Sequence, residues 1–508
     1  MTPPEPAPAD PPTAATPGPP PATLPAVARA VFWSFFGVRK GEHMRKDAAT
    51  IKPFHVVVVG LLAGLAFVLA LVALVALITR NASAQAPEPA TPASGPISSA
   101  AESVYAAARP RLLQIRTLVD RADRQSSVGS GQIVTADGLA LTNYHVVSQY
   151  ALEPSTYRLE YAAPDGTRGP LTLQAIDVVN DLAVVRLDKP ATSFFEFDPR
   201  AIAGTMPKGE RLFAMGNPLD LGFTIVEGTY NGLVDFSYNE RIHFSGALNP
   251  GMSGGPTVTA AGRIAGINVA KQTRGELVSF LVPARDAAAL VDKAQRSPPL
   301  TPEDARAEIT RQLTAWQSGF TQAIADKGFR PGSFGPYRAP ESAVPWLNCW
   351  ARTNADATPK PRAILDTTQC SSRTWLFIAD DLQTGQIDFS HAHARSVDLN
   401  AFQFAAFVSQ LMPSSRRGST GGRRLTQPRC HEDFLEFPSG GGPVLRAVWC
   451  ARAYREFDGL YDVSITAVTQ DREREALVSR LNMRGLTYEN AVSLGRRFLG
   501  AIGGAGAK

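Results

Sequence analysis

A serine at position 253 lies in a turn that is rich in glycine, within the segment Asn-Pro-Gly-Met-Ser-Gly-Gly-Pro at residues 249–256. Glycine permits sharp backbone bends and brings successive N–H groups together, and a serine hydroxyl in such a turn can attack a carbonyl. The N–H groups of Gly251 and Ser253 are then the candidate donors to the oxyanion that forms. The turn therefore predicts a nucleophilic serine, although glycine-serine turns also occur in ordinary loops.

Two upstream segments supply partners for this hydroxyl. His145 follows Thr-Asn-Tyr at residues 142–144, and Asp181 opens the apolar segment Asp-Leu-Ala-Val-Val-Arg-Leu. His, Asp and Ser in this chain order form one of the orders known for a catalytic triad. His145 is then the base that accepts the proton of Ser253, and Asp181 holds the imidazole in the useful tautomer. Each residue alone has an ordinary structural explanation, and Asp177 is the alternative carboxylate, but together the segments favour acyl transfer.

The segments lie among short β-rich runs that are separated by turns containing Gly, Pro or Asn-Asp. Such runs occupy residues 131–135, 159–163, 182–187, 211–215, 223–227, 263–269 and 277–282. Many short strands with frequent turns predict an all-β barrel or sandwich over residues 101–294.

Residues 101–294 resemble the protease domain of the HtrA/Deg family of trypsin-fold serine proteases. The matching motifs are Gly-Ser-Gly at 129–131, Thr-Asn-x-His-Val at 142–146, Asp-Leu-Ala-Val at 181–184, Gly-Asn-Pro at 216–218, the turn at 249–256 and Gly-Ile-Asn at 266–268. The resemblance implies an all-β double barrel of two six-stranded barrels, with the triad at their interface. It also implies polypeptide substrates, no cofactor and no metal.

Two features depart from that family. Met252 stands where the family commonly has Asn and digestive relatives have Asp, so activation by a newly cut N-terminal ammonium that pairs with this position is not expected. Nothing after residue 300 resembles the PDZ domain that often follows the protease, so the cage-like assemblies of PDZ-bearing relatives are not expected either; homo-oligomerisation itself stays open.

Substrate preference is indicated only in outline. Ala247, six residues before the nucleophile, lies on the segment expected to line the primary pocket. Without an acid there, small or medium apolar side chains are favoured over Lys or Arg. Ile267, Asn268 and Val269 are the candidate partners of the substrate main chain.

An uninterrupted apolar run at residues 56–78 is long enough to cross a bilayer, which takes about 20 residues. Basic residues are concentrated before the run, at Arg39, Lys40, Arg45, Lys46 and Lys52, with Arg80 nearly alone after it. This asymmetry predicts a single-pass protein of the bacterial inner membrane, with a cytoplasmic N-terminus and a periplasmic remainder. A cleaved signal peptide is the alternative, because Ala-Ser-Ala at 82–84 looks like a processing site.

The surrounding segments fit an anchored protein. Residues 1–25 form a Pro-rich cytoplasmic tail, 26–55 a basic juxtamembrane segment and 79–100 a flexible linker. Residues 32–78 are similar to a small uncharacterised bacterial membrane family, which implies no activity.

All four cysteines lie in the last third of the chain, at Cys349, Cys370, Cys430 and Cys450. On the exported side they suggest two disulfides among three connectivities. The near-equal spacings favour the pairs Cys349–Cys370 and Cys430–Cys450, and the absence of Cys-x-x-Cys knuckles argues against a zinc site. The region that holds them, residues 295–508, begins with a helix capped by Thr301. Helices are also predicted at 401–411, 471–482 and 488–501, and strands at 362–366, 374–378, 386–391, 444–450 and 460–468. This pattern indicates a separate α+β domain.

His391 and His393 would share one face of a strand at a spacing compatible with a metal, but no third ligand is apparent and exposed polar residues are the preferred interpretation.

The 51 basic and 46 acidic residues give a net charge of +5 without basic-aromatic clusters, which argues against a nucleic-acid partner. Two functions stay open: a membrane-anchored serine endopeptidase, and a catalytically silent trypsin-fold module that binds partners through its C-terminal domain.

Overall fold

The computed structural model describes residues 64–65, 67–76, 99–271, 277–412, 422–436 and 442–504 of the 508-residue chain. The chain divides into two units, residues 1–95 and 96–508. In the first unit, the described residues 64, 65 and 67–76 are helical and mostly exposed. No helix in these described ranges is both long and apolar enough to cross a membrane. The predicted tail and juxtamembrane segment and about half of the span predicted at 56–78 lie outside the described residues. So does the predicted linker except for its last two residues, 99 and 100, which are helical.

The second unit begins with helix α1 (Ser99–Ala108) and continues into two closed antiparallel barrels of six strands each. The first barrel has the order β1-β2-β3-β6-β5-β4 and the second the order β10-β11-β12-β9-β8-β7. Their strands are β1 (Leu112–Val119), β2 (Arg124–Ile133), β3 (Leu139–Thr142), β4 (Tyr157–Ala162), β5 (Arg168–Asp177), β6 (Leu182–Leu187), β7 (Arg211–Gly216), β8 (Thr224–Leu233), β9 (Ile242–Phe244), β10 (Pro256–Thr259), β11 (Ile264–Lys271) and β12 (Ser279–Pro283). The predicted all-β double barrel is confirmed.

Strand β6 shows why these runs are apolar on both faces. Ala183 and Val185 pack into one core cluster, and Leu182 and Val184 pack into another. Successive strand residues point to opposite sides, so a strand covered on both sides needs apolar residues throughout. The head of this strand, Asp181, is thereby held on a rigid element.

Three helices connect or cover the barrels: α2 (Tyr144–Leu152) between β3 and β4, α3 (Pro199–Ala203) between the barrels, and α4 (Ala284–Arg296) after β12. Single 3₁₀ turns lie at Arg109–Arg111, Asp120–Ala122 and Pro218–Asp220. Helix α2 matters most for the site because it begins within one residue of His145.

The C-terminal region opens with the long helix α5 (Pro302–Lys327), where the predicted cap is present: the Thr301 side chain accepts from the Asp304 N–H. Its largest sheet has seven antiparallel strands in the order β15-β16-β19-β23-β22-β21-β20, and a smaller sheet has the order β13-β14-β24. Strands β17 and β18 form a separate two-stranded hairpin. The elements are β13 (Phe329–Phe334), β14 (Tyr337–Ser342), β15 (Asn348–Thr353), β16 (Ala363–Ser371), β17 (Leu376–Ala379), β18 (Leu382–Thr384), β19 (Gln386–Ser396), α6 (Ala401–Leu411), β20 (Arg429–Leu435), β21 (Leu445–Ala453), β22 (Leu460–Thr469), β23 (Glu475–Thr487), α7 (Tyr488–Gly500) and β24 (Gly503–Gly504).

This region is mostly β, and the helix predicted at residues 471–482 is wrong. Strand β23 (Glu475–Thr487) occupies most of that stretch and pairs with β19 on one side and β22 on the other. Residues Arg-Glu-Arg-Glu-Ala-Leu at 472–477 have good helix propensity, which suggested a helix. Burial between two neighbouring strands overrides that propensity, because Leu477, Leu481 and Met483 are core residues of the sheet.

The core of the first barrel continues into the C-terminal region. One cluster joins barrel residues such as Leu113 and Val185 to α5 residues such as Ile309 and Phe320. The loop after β8 adds Tyr238, whose ring lies 4.7 Å from that of Phe320 between ring centroids. The C-terminal region is therefore fixed against the barrels by shared apolar burial.

Both predicted disulfides, Cys349–Cys370 and Cys430–Cys450, are present. Each joins residues that face each other on neighbouring antiparallel strands. In both cases one cysteine is on the outermost strand of the seven-stranded sheet, β15 or β20, so each bridge fastens a sheet edge to its inner neighbour.

Candidate active site

His145 and Asp181 are brought together by the junction of β3, α2 and β6. The carbonyl of Asp181 accepts from the Asn143 side-chain amide at 2.6 Å and from the Tyr144 N–H at 3.2 Å. Asp181 itself has a φ of +61°, a conformation that non-glycine residues seldom adopt. These bonds hold the carboxylate opposite the first turn of α2.

The carboxylate of Asp181 contacts His145 twice. Its Oδ2 lies 2.7 Å from His145 Nδ1, and its Oδ1 accepts from the His145 backbone N–H at 2.9 Å. An ionised carboxylate can only accept, so Nδ1 carries the proton and Nε2 is the basic nitrogen of the neutral ring. Asp177, the alternative carboxylate, accepts instead from the N–H groups of Val179 and Asn180 and closes a turn.

The surroundings of the imidazole change its basicity. Burial is the largest influence and lowers the pKa of His145, but the charge and hydrogen bond of Asp181 and the charge of Asp380 together outweigh it. The net result is a pKa of His145 above its usual value. The ring is therefore a somewhat stronger base than a free histidine.

The nucleophile turn is fitted closely to its surroundings. Gly251 and Gly254 have φ values of +93° and +83°. A Cβ on Gly251 would lie 2.4 Å from the Asn217 carbonyl oxygen, and one on Gly254 would lie 2.4 Å from the Ser130 carbonyl and 2.8 Å from the Asn143 nitrogen. Glycine is required at both places, and the contact with Asn143 sets the turn directly beside the segment that leads to His145.

Met252, the residue that departs from the family motif, has a pocket of its own. Its side chain is 1% exposed and belongs to the core of the second barrel. It packs against Gly216, where an added Cβ would lie 2.7 Å from the Met252 Cα. An apolar residue at this position therefore stabilises the turn by burial.

The two predicted oxyanion donors are backbone N–H groups without an acceptor among the described residues. The Pro250 carbonyl accepts from the Leu219 N–H at 2.9 Å, and in a trans peptide the Gly251 N–H must point the opposite way. Within the described part of the chain, the N–H groups of Gly251 and Ser253 donate to no acceptor. Both donors are thus left available for an oxyanion.

Ser130 is a positioning residue that the sequence showed only as part of the Gly-Ser-Gly motif at 129–131. Its hydroxyl donates to the Gly251 carbonyl at 2.7 Å and accepts from the Asn217 N–H at 2.9 Å. Its own N–H donates to the Ser253 carbonyl at 2.8 Å. One fully buried side chain on β2 therefore ties the first barrel to the nucleophile turn.

The Ser253 hydroxyl donates to the Val269 carbonyl at 3.3 Å. Across the described residues, no hydrogen bond joins it to His145. In the conformation seen here, the Ser253 hydroxyl is directed to the Val269 carbonyl.

The predicted substrate-contact residues lie in different environments. Ala247 is exposed, whereas Ile267 and Asn268 are fully buried. The Asn268 backbone is used within the fold, since its N–H donates to Gly255 and its carbonyl accepts from Gly254, and its side chain donates to the Met252 carbonyl at 3.2 Å. Asn268 thus fixes the backbone of residues 252–255 of the nucleophile turn through these hydrogen bonds. Of the three β11 residues, Val269 alone is partly exposed.

His391 and His393 are buried, contrary to the expectation of exposed polar residues. The two nitrogens of His391 bond Ser479 Oγ and the Pro340 carbonyl, each at 2.8 Å. Burial lowers the pKa of His391 to about 4, so the ring stays neutral. No group of three or more His, Cys, Asp or Glu side chains suited to a metal occurs among the residues that the structure describes.

Phe377 and Asp380, which nothing in the sequence linked to the site, lie beside His145. They come from the β17–β18 hairpin of the C-terminal region, more than 200 residues further along the chain. Phe377 contacts the imidazole with ring centroids 5.9 Å apart. Arg241 is another unanticipated neighbour: its partly buried guanidinium donates to Asn180 Oδ1 and to the Val179 carbonyl, just before Asp181, and burial lowers the pKa of the guanidinium.

Comparisons with known proteins identify the same kind of domain. Residues 129–267 match the family model of the trypsin-like peptidase domain, and residues 24–79 match a family described as a protein of unknown function (DUF2970). HhoA of Synechocystis sp. (strain ATCC 27184 / PCC 6803 / Kazusa), named as a serine protease, is 32% identical over 34% of this chain and 43% of its own length.

Two eukaryotic proteins are also similar. The mitochondrial serine protease HTRA2 of Drosophila grimshawi is 32% identical over 31% of this chain and 37% of its own. The chloroplastic protease Do-like 1 of Arabidopsis thaliana is 28% identical over 33% of this chain and 39% of its own. The chain thus spans less than half the length of these curated relatives.

Among solved structures, the active form of the Rv3671c protease from M. tuberculosis aligns over 39% of this chain and 87% of its own, at 20% identity and a TM-score of 0.34.

Proposed function

We propose that this chain, which carries an HtrA-like trypsin-fold serine protease domain, is a serine endopeptidase that works through His145, Asp181 and Ser253. The observation that carries the proposal is the His145–Asp181 pair, in which a bond of 2.7 Å to Nδ1 leaves Nε2 as the free base. The unused N–H groups of Gly251 and Ser253 supply the second requirement, a site for the oxyanion.

The reaction begins when the Ser253 hydroxyl rotates from the Val269 carbonyl toward Nε2 of His145. Its oxygen attacks the substrate carbonyl as the proton passes to His145, and Asp181 stabilises the imidazolium. His145 then protonates the departing amine, which leaves an acyl-enzyme on Ser253. Water, deprotonated by the same imidazole, releases the acid and restores the serine.

We further propose that residues 56–78 anchor the protein in the bacterial inner membrane, with the protease on the periplasmic side, acting in envelope protein quality control. The apolar run and the basic residues before it support the anchor and its direction. The two disulfides support an oxidising compartment. Homo-oligomerisation has no supporting observation.

Cleavage of an unfolded protein such as reduced casein tests the endopeptidase proposal. The wild type is expected to produce fragments, and both Ser253→Ala and His145→Ala to lose about 10⁴-fold or more of the rate. Tyr105→Phe, which removes a hydroxyl bonded to the Phe223 carbonyl, is a folding-matched control and should cleave normally. Cleavage that survives in Ser253→Ala would point to a contaminating protease. Folded wild type without any cleavage would favour the silent binding module.

A further inference from the structure

The β17–β18 hairpin of the C-terminal region is fastened to the catalytic helix α2. The Tyr144 hydroxyl donates to the Ile378 carbonyl at 3.0 Å inside the core, and the Gln149 amide donates to Asp380 Oδ2 at 3.0 Å. Tyr144 is adjacent in sequence to His145. The hairpin and the catalytic base are therefore held in a fixed relation by two bonds to one helix.

A buried charge cluster fixes the hairpin at its tip. The Arg424 guanidinium bonds Asp381 of the hairpin at 2.9 Å, Glu153 at the end of α2 at 3.0 Å and Glu456 at 2.6 Å. Arg424 is only 7% exposed, so the guanidinium end of these charge-assisted bonds is shielded from water. The hairpin is thus a rigid part of this face of the molecule.

Phe377 is the hairpin residue that faces the imidazole. Its flanking residues Leu376 and Ile378 are buried in the core, while Phe377 itself is partly exposed. Its ring meets that of His145 edge-on at 71°, with centroids 5.9 Å apart. The His145 side chain keeps 28% of its surface exposed. The aromatic ring thus borders the base and does not cover it.

The role of His145 in the proposed reaction indicates which part of the substrate lies beside Phe377. The imidazole must reach both the Ser253 hydroxyl and the leaving amine, so the substrate passes over it on either side of the scissile bond. A substrate side chain next to the cleaved residue pair would then come against the Phe377 ring. An aromatic wall favours apolar partners through burial and ring contacts.

We propose that Phe377 is a specificity-determining residue: it forms an apolar wall of the substrate site beside His145 and selects an apolar side chain next to the scissile bond. This inference rests on the endopeptidase function proposed above. It assigns part of the substrate site to the C-terminal region, so residues 295–508 take part in recognition.

Internally quenched peptides test this assignment. They carry either Gly or Leu at the residue just before, or just after, the two residues joined by the scissile bond. The wild type is expected to prefer Leu about tenfold at one flanking position, by kcat/KM. Phe377→Ala should abolish that preference through a loss of kcat/KM on the Leu peptide that clearly exceeds any loss on the Gly peptide, and Phe377→Leu should keep most of it. Phe402→Ala removes a ring that is 90% exposed on α6 and should change nothing.

Three results would overturn the assignment: an unchanged preference in Phe377→Ala, an equal loss on both peptides, or a gain on both, which would make the ring a cover over the site. Labelling of Ser253 by a small fluorophosphonate separates this proposal from the endopeptidase function. If the wild type is labelled but Phe377→Ala keeps the preference for Leu, only the role of Phe377 is contradicted. Folded wild type that stays unlabelled contradicts the proposed function and the inference together.

Discussion

At the residue scale, Asp380 shows how a surface charge from the C-terminal region influences His145, the proposed catalytic base. It is exposed, yet its charge is one of the influences that raise the pKa of His145, after the charge and hydrogen bond of Asp181. The general base must be neutral to act, so kcat/KM should increase as pH rises through this pKa. Since the pKa lies above its usual value, that increase should be centred above about pH 6.5.

Asp380→Asn is expected to shift the increase in kcat/KM toward lower pH. The substitution removes the charge but keeps an oxygen that can accept from Gln149, so it lowers the pKa of His145 without freeing the hairpin. A pH–rate profile measures the shift, which should shrink at high salt because exposed charges are screened. Asp356→Asn, in an exposed turn of the C-terminal region, should leave the profile unchanged; an equal shift there, or none in Asp380→Asn, would contradict the assignment.

The contact between His145 and Asp181 is a part of the candidate site that the sequence predicted. Side-chain chemistry and local turns are encoded over short stretches, so His145, Asp181 and the glycine turn could be named before any fold was known. Ser130 and Phe377 could not, since their roles depend on which strands and hairpins meet in three dimensions. Asn268 shows the opposite error: its motif suggested contact with substrate, but its backbone is used inside the second barrel.

At the scale of elements, the β17–β18 hairpin depends on Arg424. This one buried cation is shared among Glu153, Asp381 and Glu456, which come from three separate segments. Without it, the partly buried carboxylates of Glu153 and Glu456 and the half-exposed carboxylate of Asp381 would lose the cation they share. Arg423, the adjacent residue, is 67% exposed, and within the described ranges its one ion pair is with Glu153 at 3.0 Å.

Arg424→Ala is accordingly expected to lower the free energy of unfolding by about 3–5 kcal/mol, the range for breaking a buried ion pair. Arg423→Ala is the matched control and should cost about 1 kcal/mol or less, as for exposed pairs. Urea denaturation followed by tryptophan fluorescence measures both. Similar losses in the two variants would show that burial does not distinguish the two arginines.

Element type was predictable where pattern and propensity agree. The helices at 302–327 and 401–411 begin at polar caps, Thr301 and Asn400, that are readable from sequence. The stretch at 471–482 failed because a charged, helix-favouring segment forms a central strand. Its neighbours β19 and β22 are distant in sequence, and no local pattern could indicate them.

At the scale of the whole molecule, residues 96–508 form one compact unit in which the first barrel and the C-terminal region share a core. The sequence divided this unit at residue 295 because a Pro-rich stretch and a new helix start there. Helix α5 instead packs its apolar face, including Ile309 and Phe320, into the cluster that holds the first barrel. The C-terminal region thereby becomes a structural component of the proposed active site.

The most direct test of the central claim is covalent labelling of the full chain with a fluorophosphonate, which reacts only with a serine that has a working base and oxyanion site. The account predicts rapid labelling of the wild type on Ser253 and about 10³-fold or slower labelling of His145→Ala, with none in Ser253→Ala. Labelling by the wild type should also increase with pH above about 6.5, as His145 becomes neutral. A folded wild-type protein that remains unlabelled across this pH range would contradict the account.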